Sequence, residues 1–205
     1  MVIPFYGTDH PDMFEIERAA MDREGKVLAA LDSVLPQHGR ILDIGAGNGF
    51  TAERLRSSGR SIVACEPSRG MIDPDVTVDW VQAAAQGLPF RDATFEGVYS
   101  TWAYFFPSFH DIAPGLHEVR RVARPGAPIV IVDNAGQDEF TNMSPHGIAA
   151  DLDYWLRAGF EIGIIDTAFE FETLEDATAL LTFYFGDQAK PAKRISYRVA
   201  IMVSR

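Results

Sequence analysis

Three glycines at alternate positions are the first candidates for chemistry in this sequence. Gly45, Gly47 and Gly49 follow a short apolar run, and residues 51–56 after them read as a helix. In a strand–turn–helix unit, free backbone N–H groups and the positive end of the helix dipole point toward a bound ligand. Glycine lacks a Cβ, so the turn can adopt a positive φ and lie close to a nucleotide. The segment predicts a nucleotide-binding turn, with an ordinary tight turn as the alternative.

An acidic residue stands where a second contact to such a ligand is expected. Residues 61–65 read as a buried strand, and Glu66 follows it, 21 residues after Gly45. Nucleotide-binding units carry an acid at about this distance, at the end of their second strand. A carboxylate offers two acceptor oxygens for the two hydroxyls of a ribose. We expect Glu66 to bind a ribose, with a solvated loop glutamate as the alternative.

The elements that must position these residues follow from periodicity and from helix breakers. Asp12 is predicted to cap a helical stretch that Gly25 divides and that ends near Leu35. Further strands are predicted at residues 77–83, 95–101, 128–133, 160–171 and 195–204, and further helices at 110–123, 146–158 and 174–185. Strands that alternate with helices predict a doubly wound α/β sheet.

One crevice, at the carboxyl ends of the strands, is expected to hold the ligand. The turns that meet there carry polar or small residues. They comprise Asp43, Gly45, Ala46, Gly47, Asn48 and Gly49 in the first turn; Glu66, Pro67 and Ser68 in the second; Ala84, Ala85 and Gln86 in the third; and Ser100, Thr101 and Trp102 in the fourth.

A second pattern lies downstream. The segment LPFRDATFEGVYS (88–100) is followed by HEVRRVARPGAPIVIVD (117–133). With the glycine turn and Glu66, these motifs cover about residues 38–134 and resemble the small-molecule, type 11-like branch of the class I S-adenosylmethionine-dependent methyltransferases. The resemblance implies S-adenosyl-L-methionine as cofactor and S-adenosyl-L-homocysteine as product. It also implies a Rossmann-like, seven-stranded sheet of order 3-2-1-4-5-7-6, mostly parallel, with an antiparallel strand 7.

The sequence departs from that family at the adenine site. Many relatives carry an acid in the turn before LPF that takes the adenine amino group, whereas residues 84 and 85 are both alanine. Gln86 or backbone groups are expected to serve instead. The resemblance also implies that Tyr6, in the N-terminal segment, closes over the amino-acid end of the cofactor.

Candidates for the acceptor side follow the fourth and fifth strands. His110 and His146 are the candidate general bases, with Asp133 and Tyr104 behind them. A dense aromatic stretch predicts a wall for an apolar acceptor, or alternatively core packing. Trp102, Tyr104 and Phe105 are assigned to that wall, with Phe140 opposite. No metal is expected.

Composition narrows the class of protein. The chain has 205 residues, 47% of them hydrophobic, which suits one domain: a helical N-terminal segment (1–37), a cofactor-binding core (38–134) and a substrate-side half (135–205). A net charge of -11 argues against non-specific nucleic-acid binding. One cysteine excludes an intrachain disulfide framework. We expect a cytoplasmic monomer or homodimer without a membrane span.

The sequence thus predicts methyl transfer from S-adenosylmethionine to a small organic acceptor. Two alternatives stay open at this point. A nicotinamide oxidoreductase would share the nucleotide half, but Phe50 occupies the position where its glycine fingerprint needs a third glycine. A non-catalytic nucleoside-binding protein on the same fold is the other.

Overall fold

A seven-stranded sheet of order β3-β2-β1-β4-β5-β7-β6 forms the centre of the protein. The computed structural model describes residues 9–103 and 111–204. The strands are β1 (Gly39–Ile44), β2 (Arg60–Cys65), β3 (Asp79–Val81), β4 (Gly97–Thr101), β5 (Ile129–Asn134), β6 (Glu161–Glu170) and β7 (Arg194–Ser204). Strands β1 to β5 are parallel, and β7 runs antiparallel to both β5 and β6. The predicted fold class and strand order are confirmed.

Six helices of the described residues cover the two faces of this sheet. They are α1 (Pro11–Ala20), α2 (Lys26–Val34), α3 (Phe50–Leu55), α4 (Ala113–Val122), α5 (Leu152–Arg157) and α6 (Leu174–Phe185), with short 3₁₀ turns at Thr141–Met143 and Gly186–Gln188. One apolar cluster lies under α2, α3 and α6, and the other under α4 and α5. Strand β5 is buried throughout, as a central strand covered on both faces must be.

Two predicted boundaries are wrong for local reasons. Helix α1 begins at Pro11 with His10 as its N-cap, so Asp12 lies inside the first turn. Proline suits the first helical position because its φ is already helical and no intrahelical partner exists there for an N–H. The helix predicted at 146–158 begins only at Leu152, since the carboxylate of Asp151 accepts the N–H of Tyr154 and caps it.

No helix in the described ranges is long and apolar enough to cross a membrane.

Candidate functional site

The parallel register places the predicted site residues along one edge of the sheet. Ile44, the last residue of β1, is level with Cys65 of β2 and with Ser100 of β4. Cys65 is in turn level with Val81 at the end of β3. The turns after these strands therefore open at the same edge, and Gly45, whose N–H donates to the carbonyl of Cys65 at 2.9 Å, is fixed there.

The glycine turn adopts a conformation that other residues take only with strain. The φ angles of Gly45, Gly47 and Gly49 are +70°, +56° and +83°. A Cβ on Gly45 would lie 2.5 Å from the Cβ of Ala103, and one on Gly49 would lie 2.9 Å from the Trp80 ring. The turn itself thus requires all three glycines, so the glycines alone do not identify a ligand.

Asn48 and Ala46 complete the turn and start the following helix. The N–H of Gly49 donates to the carbonyl of Ala46 at 2.9 Å. The side-chain oxygen of Asn48 accepts the N–H of Phe50, the first residue of α3, at 3.2 Å. All four residues from Gly45 to Asn48 are half-buried.

Glu66 connects the glycine turn to the end of β2. Its carboxylate is 5% exposed and accepts the N–H of Gly47 at 2.9 Å and that of Ser68 at 2.8 Å. Burial raises the pKa of this carboxyl, and the two backbone N–H groups oppose that shift. Each carboxylate oxygen keeps further acceptor capacity, so the same group can hold the turn and accept ribose hydroxyls. The bond to Gly47 was not predicted from the sequence.

Asp43 lies beneath this turn and is buried. Tyr99 donates its hydroxyl to Oδ2 of Asp43 at 2.8 Å, while Oδ1 has no partner in the described structure. Burial raises the pKa of Asp43 to about 7, against the bond from Tyr99 and with a contribution from the nearby charge of Glu66. Ser100, beside it on β4, donates its hydroxyl to the carbonyl of Ile44 at 2.8 Å. Both side chains therefore tie β1 to β4 below the site.

The turn after β3 forms the predicted adenine side. Ala84 and Ala85 are half-buried and Gln86 is exposed, with the N–H of Gly87 donating to the carbonyl of Ala84 at 3.1 Å. Pro67 follows the end of β2, and the side-chain amide of Gln82 donates to its carbonyl at 3.3 Å.

The LPF and E-x-x-R motifs bind each other. Glu118 and Arg121, both on α4, pair at 2.7 Å, and this bond holds the pKa of Glu118 at about 2. The Glu118 carboxylate accepts the N–H of Leu88 at 2.9 Å, while Arg121 donates to the carbonyls of Leu88 and Phe90 at 3.0 and 2.8 Å. The second motif thus positions the turn that leads into β4.

A series of hydrogen bonds between side chains holds Trp102 in place. Its φ is +52°, an uncommon conformation for a bulky residue. Its indole N–H donates to the Tyr197 hydroxyl at 2.7 Å, and that hydroxyl donates to Asn134. Asn134 donates in turn to the carbonyl of Ile148 at 2.7 Å. Residues of β5 and β7 therefore orient a ring at the end of β4, beside half-buried Thr101.

Arg18, which the sequence analysis did not single out, also reaches this edge. Its guanidinium carbon lies 5.7, 5.3 and 5.5 Å from the ring centres of Phe14, Phe50 and Trp102. The spacing of Phe14 and Arg18, four residues apart on α1, is a local signal for one helix face. Their approach to Phe50 and Trp102 has no local signal, because these residues come from different elements.

The acceptor-side predictions have mixed outcomes. Tyr6, Tyr104, Phe105 and His110 lie outside the described residues. His146 is exposed in the irregular segment after β5.

Two predicted acceptor-side residues are core residues in the structure. Phe140 is 6% exposed and stacks on Phe169 at 4.4 Å between ring centres, so it packs in the core. Asp133, considered as a base, is fully buried, and burial raises its pKa well above the usual range. A fully buried carboxyl has no open access to an acceptor, so the prediction of Asp133 as a general base is corrected.

Comparison with known proteins places this geometry in a family. Residues 42–131 match the methyltransferase domain family. A demethylmenaquinone methyltransferase from Clavibacter sepedonicus is 34% identical over 139 residues, or 59% of this chain and 56% of that protein. One from Thermobifida fusca (strain YX) is 32% identical over 170 residues, or 76% of this chain and 66% of that protein. The matched part of this chain spans just over half to about two thirds of the length of these two relatives.

Solved structures agree in fold. An S-adenosylmethionine-dependent methyltransferase from Thermotoga maritima superposes with a TM-score of 0.62 at 18% identity, covering 98% of this chain and 97% of that one. Another from Aquifex aeolicus gives 0.59 at 16% identity, covering 95% and 98%. The glycine turn, the buried acid after β2, the paired LPF and E-x-x-R motifs and the family match lead to one conclusion. The chain belongs to the class I S-adenosylmethionine-dependent methyltransferases, in the branch that carries the type 11-like methyltransferase domain.

Proposed function

We propose that this chain transfers the methyl group of S-adenosylmethionine to a small organic acceptor by in-line displacement. The observation that carries the proposal is the buried carboxylate of Glu66, which bonds Gly47 in the glycine turn at 2.9 Å on the edge where ligands bind. Family membership supports the same reaction class.

The residues present fit this cofactor. A ribose needs an acceptor for two hydroxyls, and Glu66 retains acceptor capacity beyond its two backbone bonds. In the glycine turn, Gly45, Gly47 and Gly49 have no side chain that would separate the backbone from the methionyl part of the cofactor. The turn at Ala84 and Ala85 offers only backbone and small side chains to adenine, with Gln86 at its exposed side.

The protein contributes orientation more than covalent chemistry. When bound, the cofactor supplies an electrophilic methyl group on a sulfonium together with its leaving group. The chain's own residues hold the reactants in line and exclude water, which supplies up to about 7–11 kcal/mol of a bimolecular barrier. Trp102, fixed by its bond to Tyr197, borders the place where the acceptor approaches.

A ring compound is the acceptor class that we propose. The relatives from Clavibacter sepedonicus and Thermobifida fusca are named demethylmenaquinone methyltransferases, which supports a quinone-type ring. The flat side chains of Phe50 and Trp102 at the same edge provide surfaces on which a ring can stack. If the acceptor needs a general base, that base is a residue other than Asp133. His110 and His146 stay the predicted candidates.

Calorimetry separates this function from its two alternatives. We expect S-adenosylhomocysteine to bind and NAD not to bind at matched concentrations. Binding of NAD alone would overturn the proposal in favour of an oxidoreductase. Methyl-labelled S-adenosylmethionine with a panel of quinols, phenols and amines then tests catalysis. Cofactor binding without transfer to any member of the panel would favour a non-catalytic nucleoside-binding protein.

A further inference from the structure

A cavity of about 390 Å³ lies beside the glycine turn and is separate from the Glu66 side of the site. It is lined by Thr101 and Trp102 at the end of β4 and by residues of α1, α2 and α3. Apolar side chains of α2, Val27, Leu28 and Leu31, form part of its wall. The cavity is large enough for a small organic molecule, since ligand pockets begin at about 300 Å³.

Three arginines line this cavity in a chain that is otherwise acidic. Arg18, Arg23 and Arg54 all contribute to it, whereas the chain as a whole carries a net charge of -11. Asp22 is the acidic residue in the lining, but its carboxylate already accepts the backbone N–H of Val27 at 2.8 Å and the hydroxyl of Thr167 at 2.7 Å. None of the three arginines forms an ion pair with a residue in the described ranges. With three arginines against one aspartate, the lining of the cavity carries a net charge of +2.

Arg18 is the arginine best placed to face a ligand. Its guanidinium lies among the Phe14, Phe50 and Trp102 rings, and its Nε is buried without a partner in the described structure. Among the described residues, its Nη2 donates to the sulfur of Met21, at 3.8 Å. A desolvated donor without an acceptor is costly, and a carboxylate can bind a guanidinium through two parallel hydrogen bonds. Aromatic rings around that guanidinium also suit a flat ligand.

We propose that this cavity binds the acceptor, and that the acceptor is a planar organic anion whose charged group pairs with Arg18. The inference rests on the proposed methyl transfer and deepens it by naming the substrate class. Phe50 and Trp102 stack against the ring, and Arg54, which lies 3.4 Å from the Phe50 ring centre, adds positive charge on that side. Because the surface as a whole repels anions, these arginines supply the local attraction that the ligand needs.

The experiment compares two ligands that differ by one carboxylate. We would titrate 1-hydroxy-2-naphthoate and 1-naphthol into the protein, with and without saturating S-adenosylhomocysteine, at pH 7.5. We expect the naphthoate to bind about tenfold or more tightly than the naphthol, since a bond between charged groups replaces a neutral contact. Arg18→Met should remove this preference. Arg91→Met, which deletes the same charge from an exposed turn, should keep it.

Each result bears on the proposal. Equal affinity of the wild-type protein for the two compounds overturns it without any variant. An Arg18→Met variant that loses S-adenosylhomocysteine but keeps 5′-methylthioadenosine and the naphthoate preference assigns Arg18 to the methionyl carboxylate, and also overturns it. If Arg18→Met does not fold, Arg54→Met must lower the naphthoate preference for the proposal to stand. Absence of S-adenosylhomocysteine binding rejects the proposed function instead, independently of the naphthoate result.

Discussion

Replacing Glu66 with alanine removes the two oxygens that accept the N–H groups of Gly47 and Ser68, at 2.9 and 2.8 Å. It also removes the acceptor that we assign to the ribose hydroxyls. Hydrogen bonds to a charged group contribute about 1.5–3 kcal/mol each. Loss of a single ribose bond therefore weakens binding about tenfold, and loss of both weakens it about a hundredfold or more.

We expect Glu66→Ala to weaken S-adenosylhomocysteine binding about tenfold or more by isothermal titration calorimetry. Glu66→Gln should give an intermediate loss, because its amide keeps one acceptor oxygen but turns an NH₂ toward a backbone N–H. 5′-Methylthioadenosine carries the same ribose without the amino-acid end, so its affinity should fall by a similar factor.

Glu53→Ala is the matched control, since it deletes an equal charge from an exposed position on α3, close to the same turn. Urea unfolding of both variants separates a lost ligand contact from a loosened turn. A folded Glu66→Ala protein with the affinity of the control would refute the placement of the ribose at Glu66.

Three other substitutions test the supports of the site, each by urea unfolding. Gly126→Ala should lower the free energy of unfolding by about 1–2 kcal/mol, the cost of a left-handed conformation, since its φ is +78° and no atom lies within 4 Å of the new Cβ. Gly45→Ala should lower it by more, because its Cβ would lie 2.5 Å from the methyl group of Ala103. Tyr197→Phe should cost about 1–3 kcal/mol, because it leaves the Trp102 indole N–H without its acceptor and removes the buried bond to Asn134, while Tyr154→Phe should change stability by less than about 0.5 kcal/mol. Asp43 has a folded pKa of about 7, far above its unfolded value, so its contribution to stability falls as pH rises from about 4 to 7; Asp43→Asn should abolish this fall, which amounts to about 4 kcal/mol at most.

Opposite results would contradict these arguments. Equal losses in the two glycine variants would show that no clash occurs at Gly45. A Tyr197→Phe protein as stable as Tyr154→Phe would mean that water replaces the hydroxyl. A pH dependence unchanged in Asp43→Asn would assign the titration to another buried group.

Local pattern was sufficient for most elements of the fold. The helix predicted at 174–185 coincides with α6 because a capping box at Thr173 and Asp176 starts it and Gly186 follows its end. The helix predicted at 146–158 is short because residues 146–151 contain Gly147 in a positive φ and join the loop after β5. Strand β3 has three residues and is shorter than predicted. Its extent is set by pairing with the last three residues of β2, a contact that the local sequence pattern does not show.

The candidate site divides in the same way. The glycine turn and Glu66 are recognisable in the sequence because strand, turn and helix follow one another within a short segment. Chain order cannot show that Tyr197 accepts the Trp102 indole, since β7 inserts between β5 and β6 only in the folded sheet. The same holds for Arg18, which reaches Trp102 from a helix near the start of the chain.

Spacing and residue type within one strand–turn–helix unit were thus sufficient to predict the cofactor side of this protein. The proposed acceptor side depends on contacts between residues far apart in the chain. Its positive cavity exists because the sheet and its covering helices bring Arg18, Arg23 and Arg54 together, although each of them is an ordinary charged residue in its own segment. Only tertiary packing brings these side chains together, because no short-range sequence pattern predicts a contact between residues that are distant in the chain.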